Sequence, residues 1–463
     1  MCGIVGQMSR GGPVAPQLYT GCIGLQHRGK SGAGMAVSCN GKILAATGFG
    51  ELPQAFHSTP LEVLPGKIGI AQLRYGTTGD ERSENLQPIK GNFRGDDFYL
   101  VHNGNLVNLS DLGGCDWPGC SDTQVIVNLV SGSRAILFED ALLGVLPRLE
   151  GAFNFLFLYR ETIFAATDRF GFHPLQLGDC GDSIIIASES SAFWGRAISA
   201  RDILPGQLVI LNKDGYIVNS WSTQTSLKID LFEFIYFARP DSVIHGVPVG
   251  LARRAMGKAL WRSSPLGGVD VIFPIPDSGN EAALVYYRAM LEDGGIADYE
   301  PNLLIRPHGV GRTFIAPIEH IRNKELGLKF VARPECTEGK SIVGIDDSLV
   351  RAFTSKKIVP LLRNAGAREF HLLLSSPMYL HPDYYGVDTY RNKGELIAQR
   401  LGGDAKDIAH YCNYDSVAFL DVEATIDAVL AARQPDSPLT KDSFYTGPFT
   451  GQYPAGTGDY GNK

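Results

Sequence analysis

Cys2 follows the first methionine directly, and a cysteine exposed as the N-terminal residue combines two reagents in one position. Its thiol is a nucleophile. Its own α-amine, with a reference pKa of about 7.7–8.0, can accept and return the proton near neutral pH. Removal of Met1 is expected, because the side chain after it is small; the competing reading is that a small second residue serves processing alone. Other residues could complete a site for attack on a carbonyl group. The tetrahedral intermediate needs an oxyanion hole. Asn103 and Gly104 could form one from a side-chain amide and a backbone N–H, although Asn-Gly is also a common hairpin turn. Arg74 offers a bidentate fork for a carboxylate. Asp122, in Ser121-Asp122-Thr123, offers a carboxylate for an ammonium group, or else caps a helix. Far along the chain, Asp346-Asp347-Ser348 closes an apolar run. Such carboxylates can accept from sugar hydroxyls or hold Mg²⁺, and loop N–H groups at a helix start can hold phosphate. They can equally be a solvated helix cap.

Two kinds of scaffold must carry these residues. Residues 1–224 are rich in short β-like runs with turn punctuation,. Ile4-Val5 reads as a buried strand, and Phe153–Leu158 and Ile163–Ala166 as a strand pair joined at 159–162. Helices are expected over Thr123–Val130 and Leu142–Leu149. This is an α+β layer pattern with many antiparallel strands. After the polar stretch 221–226 strands alternate with helices, which argues for a parallel sheet: strands at 269–276, 341–345 and 370–375, and a helix from Glu281 to about Leu291,. Ligands of such sheets bind at the carboxyl ends of the strands, where Asp277-Ser278-Gly279 and Asp346-Asp347-Ser348 fall.

The 463 residues suffice for two or three domains,. The boundaries expected are 1–224, 225–434, and an extended or mobile arm over 435–463 rich in Gly, Pro, Ser and Thr. A net charge of −7 argues against a general nucleic-acid or acidic-membrane surface,. With neither a signal-peptide pattern nor an apolar run long enough to span a bilayer, a cytoplasmic protein is expected. The eight cysteines are scattered, and Cys115 and Cys120 lack a second pair of metal ligands, so free reduced thiols are expected,.

Several segments extend these readings. Met1–Gly6, Leu25-Gln26-His27-Arg28-Gly29, Arg74-Tyr75-Gly76-Thr77, His102–Leu106, Ser121-Asp122-Thr123 and Asp168–Leu175 resemble, in order and spacing, the class II glutamine amidotransferases, which are N-terminal-nucleophile hydrolases. Ser341–Ser355 resembles the phosphoribosyltransferase signature. Phe232–Ser242, Pro274–Ser278, Val310–Ile315, Tyr385–Asp388, Glu395–Ala398 and Phe449–Pro454 resemble the glutamine phosphoribosylpyrophosphate amidotransferases nearly end to end. The resemblance implies an αββα sandwich glutaminase domain followed by a type I phosphoribosyltransferase-like parallel-sheet domain. It implies Cys2 as nucleophile, Asn103 and Gly104 as oxyanion donors, and Arg74, Thr77 and Asp122 as glutamine clamps. A phosphosugar diphosphate would lie against Asp277, Ser278, Gly279, Asp346, Asp347, Ser348, Arg351, Ala352, Phe353, Thr354 and Ser355, with Mg²⁺ on Ser278, Asp346 and Asp347. Arg306, His308 and Arg312 would belong to a mobile loop over the sugar. Ammonia would pass between the two sites through an internal channel, in a homo-oligomer.

The chain departs from that pattern in three places. The family's Arg-Gly-Thr-Thr-Ser is Arg351-Ala352-Phe353-Thr354-Ser355 here, and its Lys-Asn-Arg-Tyr is Arg306-Pro307-His308-Gly309. Both changes face the sugar, so a longer substrate such as a heptose stays open beside ribose. Some members carry a four-cysteine iron–sulfur cluster; those positions align with Asp230, Asp383, Tyr445 and Pro448, so no cluster is expected,. Glucosamine-phosphate and asparagine-forming amidotransferases share the first half, but this second half lacks Ser-Gly-Gly-x-Asp-Ser. A regulatory paralogue without synthase activity is the remaining rival.

Overall fold

The computed structural model describes residues 1–76, 82–114, 119–306, 330–352, 355–387, 389–391 and 393–461. Its first half is built on two stacked antiparallel sheets. In spatial order the seven-stranded sheet runs Ser199–Asp202, Gln176–Asp179, Ser183–Ala187, Gly3–Ser9, Ile68–Arg74, Gly32–Cys39, Lys42–Phe49. The six-stranded sheet runs Gly215–Ser220, Gln207–Asn212, Thr162–Thr167, Gly151–Tyr159, Asp96–Leu106, Ile89–Phe93. Gly3–Ser9 is buried along its whole length and central in its sheet. One face presents Ile4 and Met8 to Leu156, Leu158 and Ile163 of the other sheet, and the other presents Val5 to Leu18 and Cys22 of the helix Ala15–Gly24. Helices Asp122–Ser131 and Phe138–Val145 cover the second sheet through Ile126, Val130 and Leu142. The layers are thus αββα. The second expected helix starts and ends four residues early, because Leu146-Pro147-Arg148 tightens into a separate 3₁₀ turn,.

The second half holds a five-stranded parallel sheet in the order Asp298–Tyr299, Val271–Pro274, Ser341–Asp346, Glu369–Leu374, Ser416–Phe419. Helices Val249–Ser263, Asn280–Glu292 and Val422–Ala431 pack on one face around Met256, Tyr286 and Val429. Ser355–Asn364 and Ala405–Cys412 pack on the other around Leu362 and Ile408.

Residues 435–461 return over both halves. Phe444-Tyr445 pairs in parallel with Ile229-Asp230. Tyr453 and Tyr460 join Tyr384, Tyr385, Phe172 and Val107 in an aromatic cluster, and the N–H of Asp459 donates to the Val107 carbonyl at 2.7 Å. One expectation fails: Cys120 is disulfide-bonded, while Cys2, Cys22, Cys39, Cys180, Cys336 and Cys412 are free. Among the described residues no helix is long and apolar enough to cross a membrane.

Candidate active site

Strand register builds the first site. Gly3 pairs with Leu73, which brings Cys2 level with the end of the neighbouring strand at Arg74, itself buried. The Cys2 N–H donates to Asn103 Oδ1 at 2.8 Å, and the Tyr75 N–H points at the Cys2 sulfur at 3.4 Å. Asn103 and Gly104 lie inside the strand Asp96–Leu106, opposite Asn154 and Phe153, and not in a hairpin turn. Gly104 holds φ +146°, and a Cβ there would collide with the Ala152 carbonyl oxygen. Asn103 is wholly buried, and its Nδ2 has no hydrogen-bond partner among the described residues. A buried amide costs roughly 1–3 kcal/mol when left unpaired, so this donor is held ready for an acceptor beside the thiol.

Asp122 heads its helix behind the same strand. Its carboxylate accepts from Thr123 N–H at 2.8 Å and Leu106 N–H at 3.2 Å, and lies 3.6 Å from His102 Nδ1. Burial would raise its pKa, but His102 and those N–H groups outweigh burial and hold it below the usual carboxylate value. Thr77 lies outside the described residues.

Met1 is also buried. Burial pulls its amine down to about 5, helped by the Arg28 cation and opposed by the charges of Cys2, Glu233 and Asp383. Arg28, fully buried, is the hub behind Cys2. Its Nε donates to the Cys2 carbonyl at 3.2 Å. Nη1 and Nη2 fork onto Glu233 at 3.0 and 2.6 Å, and Nη1 also reaches Glu189 at 2.5 Å. Glu189 takes further donors from His27, Ser242 and the Arg239 N–H. Burial would raise both carboxyls, but Arg28 acting with His27 and Ser242 at Glu189, and with His173 at Glu233, outweighs it and holds both below the usual carboxylate range. His173 completes the group: its Nε2–H donates to the Tyr385 carbonyl at 2.8 Å, and Nδ1 stands 3.7 Å from Glu233. The sequence reading assigned none of these four residues a role. Their signal was present, since Arg28, His173 and Glu233 all sit in segments that carry the family resemblance.

The second site gathers at the carboxyl ends of Val271–Pro274 and Ser341–Asp346. Ser278 Oγ donates to Asp346 Oδ1 at 3.2 Å, which also accepts the Asp347 N–H at 2.9 Å. Ser348 Oγ donates to Asp347 Oδ2 at 2.5 Å. Burial, and then the charge of Asp347, pushes Asp346 well above the usual carboxylate value. Gly279 is required by close approach, since a Cβ would strike the Ile345 carbonyl oxygen. Exposed Asp277 is paired with Arg306 Nη1 at 2.9 Å, and the same guanidinium holds the Pro276 carbonyl at 2.8 Å. Arg351 Nε lies 3.5 Å from Glu395. Ala352 is buried at φ +56°, a left-handed conformation. Ser355 opens the helix Ser355–Asn364. His308, Arg312, Phe353 and Thr354 lie outside the described residues.

Among the described residues no group of three or more His, Cys, Asp or Glu could cage a metal. Two adjacent carboxylates and a hydroxyl, one carboxylate resisting ionisation, fit a hard cation shared with ligand phosphates rather than an all-protein cage. The short helix Glu233–Phe237 bridges the two sites. At one end Glu233 grips Arg28. Near the other, Tyr236 is half exposed, and partial enclosure of its hydroxyl, then the charges of Asp347, Tyr75 and Asp346, raise it above the usual phenol value.

The positions aligned with the iron–sulfur ligands also converge. Asp230 pairs in register with Tyr445, whose hydroxyl donates to Asp383 at 2.9 Å. Asp383 also accepts the N–H groups of Tyr385, Gly386 and Val387, each at 2.9 Å. The Pro448 carbonyl accepts from Leu380 and His381.

A family model described as "Glutamine amidotransferase domain" matches residues 73–195. The chain is 35% identical to the amidophosphoribosyltransferase of Staphylococcus aureus over 99% of its own length and 92% of the relative's. It is 36% identical to that of Bacillus subtilis, covering 98% and 94%. It is 37% identical to the chloroplastic amidophosphoribosyltransferase 2 of Arabidopsis thaliana, covering 98% and 79%. The solved glutamine phosphoribosylpyrophosphate amidotransferase of B. subtilis, complexed with ADP and GMP, superposes with a TM-score of 0.86 at 33% identity, covering 98% of each chain. The chain belongs to the amidophosphoribosyltransferase family.

Proposed function

We propose that this chain releases ammonia from glutamine at Cys2 and adds it to C1 of phosphoribosylpyrophosphate, expelling pyrophosphate to give phosphoribosylamine. The observation that carries the reading is the orphaned Asn103 amide beside the Cys2 thiol. With Met1 removed, the Cys2 thiol attacks the side-chain amide carbon of glutamine, and its proton passes to the Cys2 amine and then to the leaving ammonia. Asn103 Nδ2 and the Gly104 N–H face the oxyanion, while Arg74, Thr77 and Asp122 hold the α-carboxylate and α-ammonium. Water then releases glutamate from the thioester.

In the second site, Asp277–Gly279, Arg351, Ala352 and Ser355 would hold the pyrophosphate and the 5-phosphate together with Phe353 and Thr354, and Arg306, His308 and Arg312 would bind over the sugar; Phe353, Thr354, His308 and Arg312 take these roles from the sequence resemblance alone. Mg²⁺ on Asp346, Asp347 and Ser278 would neutralise charge on the departing pyrophosphate. Met1 supports a shielded passage for ammonia. Its side chain fills space against Gly386, and its amine senses both Glu233 and Asp383. Loss of Met1 would leave a water-poor gap between Cys2 and the second half, where ammonia would stay unprotonated. This reading divides the chain into a glutaminase domain over 1–224, a synthase domain over 225–434 and a C-terminal arm over 435–463.

Ribose is favoured over a longer sugar because the backbone at Ala352 keeps the left-handed turn that a glycine would adopt. The test compares pyrophosphate release by wild type and Cys2→Ala, with phosphoribosylpyrophosphate and a heptose analogue. The variant should lose turnover with glutamine and keep it with added ammonia. Loss of both, or turnover of the heptose alone, overturns the proposal.

A further inference from the structure

We infer that Glu233, from the second half of the chain, is a positioning residue for the Cys2 site and acts through Arg28. The inference rests on the glutaminase reading above and goes beyond it, because Glu233 is fully buried against Arg28 and has no part in the scheme proposed there.

The geometry runs in one unbroken line. Cys2 has two polar holds on its backbone: its N–H on Asn103 and its carbonyl on Arg28 Nε. The first fixes the amine end against the oxyanion donor, and the second fixes the peptide that follows. Arg28 cannot keep that pose alone, because its stem is long and its head is planar. The head is oriented by a bidentate fork onto Glu233 and a third bond to Glu189. Glu189 belongs to the same half as Cys2, whereas Glu233 arrives on the helix Glu233–Phe237 from the other side of the proposed domain boundary. All three side chains are fully shielded from water. A planar, five-donor cation in such a place keeps one orientation only while its carboxylate partners stay put.

Burial of the same ion pairs could serve adhesion alone. Two details favour positioning. Arg28 directs its Nε–H to the backbone of the nucleophile rather than to another carboxylate. Glu233 is itself held from behind by His173, whose ring is fixed by the Tyr385 carbonyl. The second half therefore sets where the Arg28 head lies, and Arg28 sets where the Cys2 peptide lies.

The experiment uses full-length Glu233→Gln, which keeps the shape of the fork and removes its charge. Three quantities are measured in one preparation: glutamine hydrolysis, pyrophosphate release driven by ammonia, and the rate of Cys2 alkylation by iodoacetamide. Positioning predicts a fall in glutaminase kcat on the order of 10- to 100-fold, the scale of a misplaced reacting group, with KM for glutamine little changed. Alkylation slows with it, while ammonia-driven turnover stays within about twofold of wild type. Equal losses in both activities would make Glu233 a structural strut and overturn the inference, as would unchanged glutaminase. If Glu233→Gln does not fold, Arg28→Lys decides, since lysine keeps the charge but cannot fork, and the same split is expected. Absence of glutaminase in wild type would instead sink the underlying reading.

Discussion

At the scale of single residues, the two buried carboxylates Asp230 and Asp383 are held by unequal means. Asp383 accepts three backbone N–H groups and a phenol, whereas a single bond, from the Phe232 N–H, is seen at Asp230. Burial raises both carboxyls, Asp230 well above the usual carboxylate value with the charge of Asp383 adding to it; the four donors at Asp383 favour leaving the charge there and the proton on Asp230. The sign for stability follows. A carboxyl group whose pKa is raised by folding binds more protons folded than unfolded, so its contribution is fullest below the unfolded value. That contribution is lost as pH rises from there to the folded value. Asp230→Asn, which mimics the protonated form, should therefore match wild type in melting temperature near pH 4 and exceed it increasingly toward neutral pH, read by calorimetry across that range. A constant gap at all pH values would assign the proton elsewhere.

At the scale of elements, Ala352 shows what the chain tolerates at a phosphate-type loop. A non-glycine residue at φ +56° is strained by about 1–2 kcal/mol,, part of which glycine would give back through its freer unfolded chain. Ala352→Gly should thus stabilise the fold by roughly 0.5–1 kcal/mol and leave KM for phosphoribosylpyrophosphate unchanged, measured by denaturant titration and steady-state kinetics. Elements like this one explain how far the sequence could be read. The buried strands, the Asp-Asp loop and the thiol at position 2 declare themselves locally, through apolar runs, motif order and chemistry. Arg28 and Glu233 do not. Nothing near Arg28 in the sequence says that its partner lies 205 positions away. Asn103-Gly104 reads locally as a turn, and only pairing with Asn154 and Phe153 makes it a strand with an orphaned amide.

At the scale of the whole molecule, the last residues act as a strap. Ala455 N–H donates to the Tyr385 hydroxyl, which donates in turn to the Gly456 carbonyl, both at 2.8 Å. Asp459 engages Val107 and Ser110, just beyond the strand that carries Asn103. Tyr453 and Tyr460 are partly buried against this cluster, so together they contribute less than the roughly 3–6 kcal/mol of two fully buried large apolar side chains. Truncation after Gln452 should lower the melting temperature and reduce glutamine-dependent turnover more than ammonia-dependent turnover, as measured by calorimetry and paired assays. Equal loss of the two activities would mean that the strap only adds stability.

The burial of Met1 carries a consequence for the timing of maturation. With 1% of its surface exposed, enclosed by the Gly386 loop and the Arg28–Glu233 pair, Met1 is out of reach of an aminopeptidase once the two halves have met. On the glutaminase reading proposed above, Met1 would have to leave before the two halves meet, because afterwards it is enclosed. Excision would then compete with folding, and a chain in which folding came first would keep its nucleophile blocked.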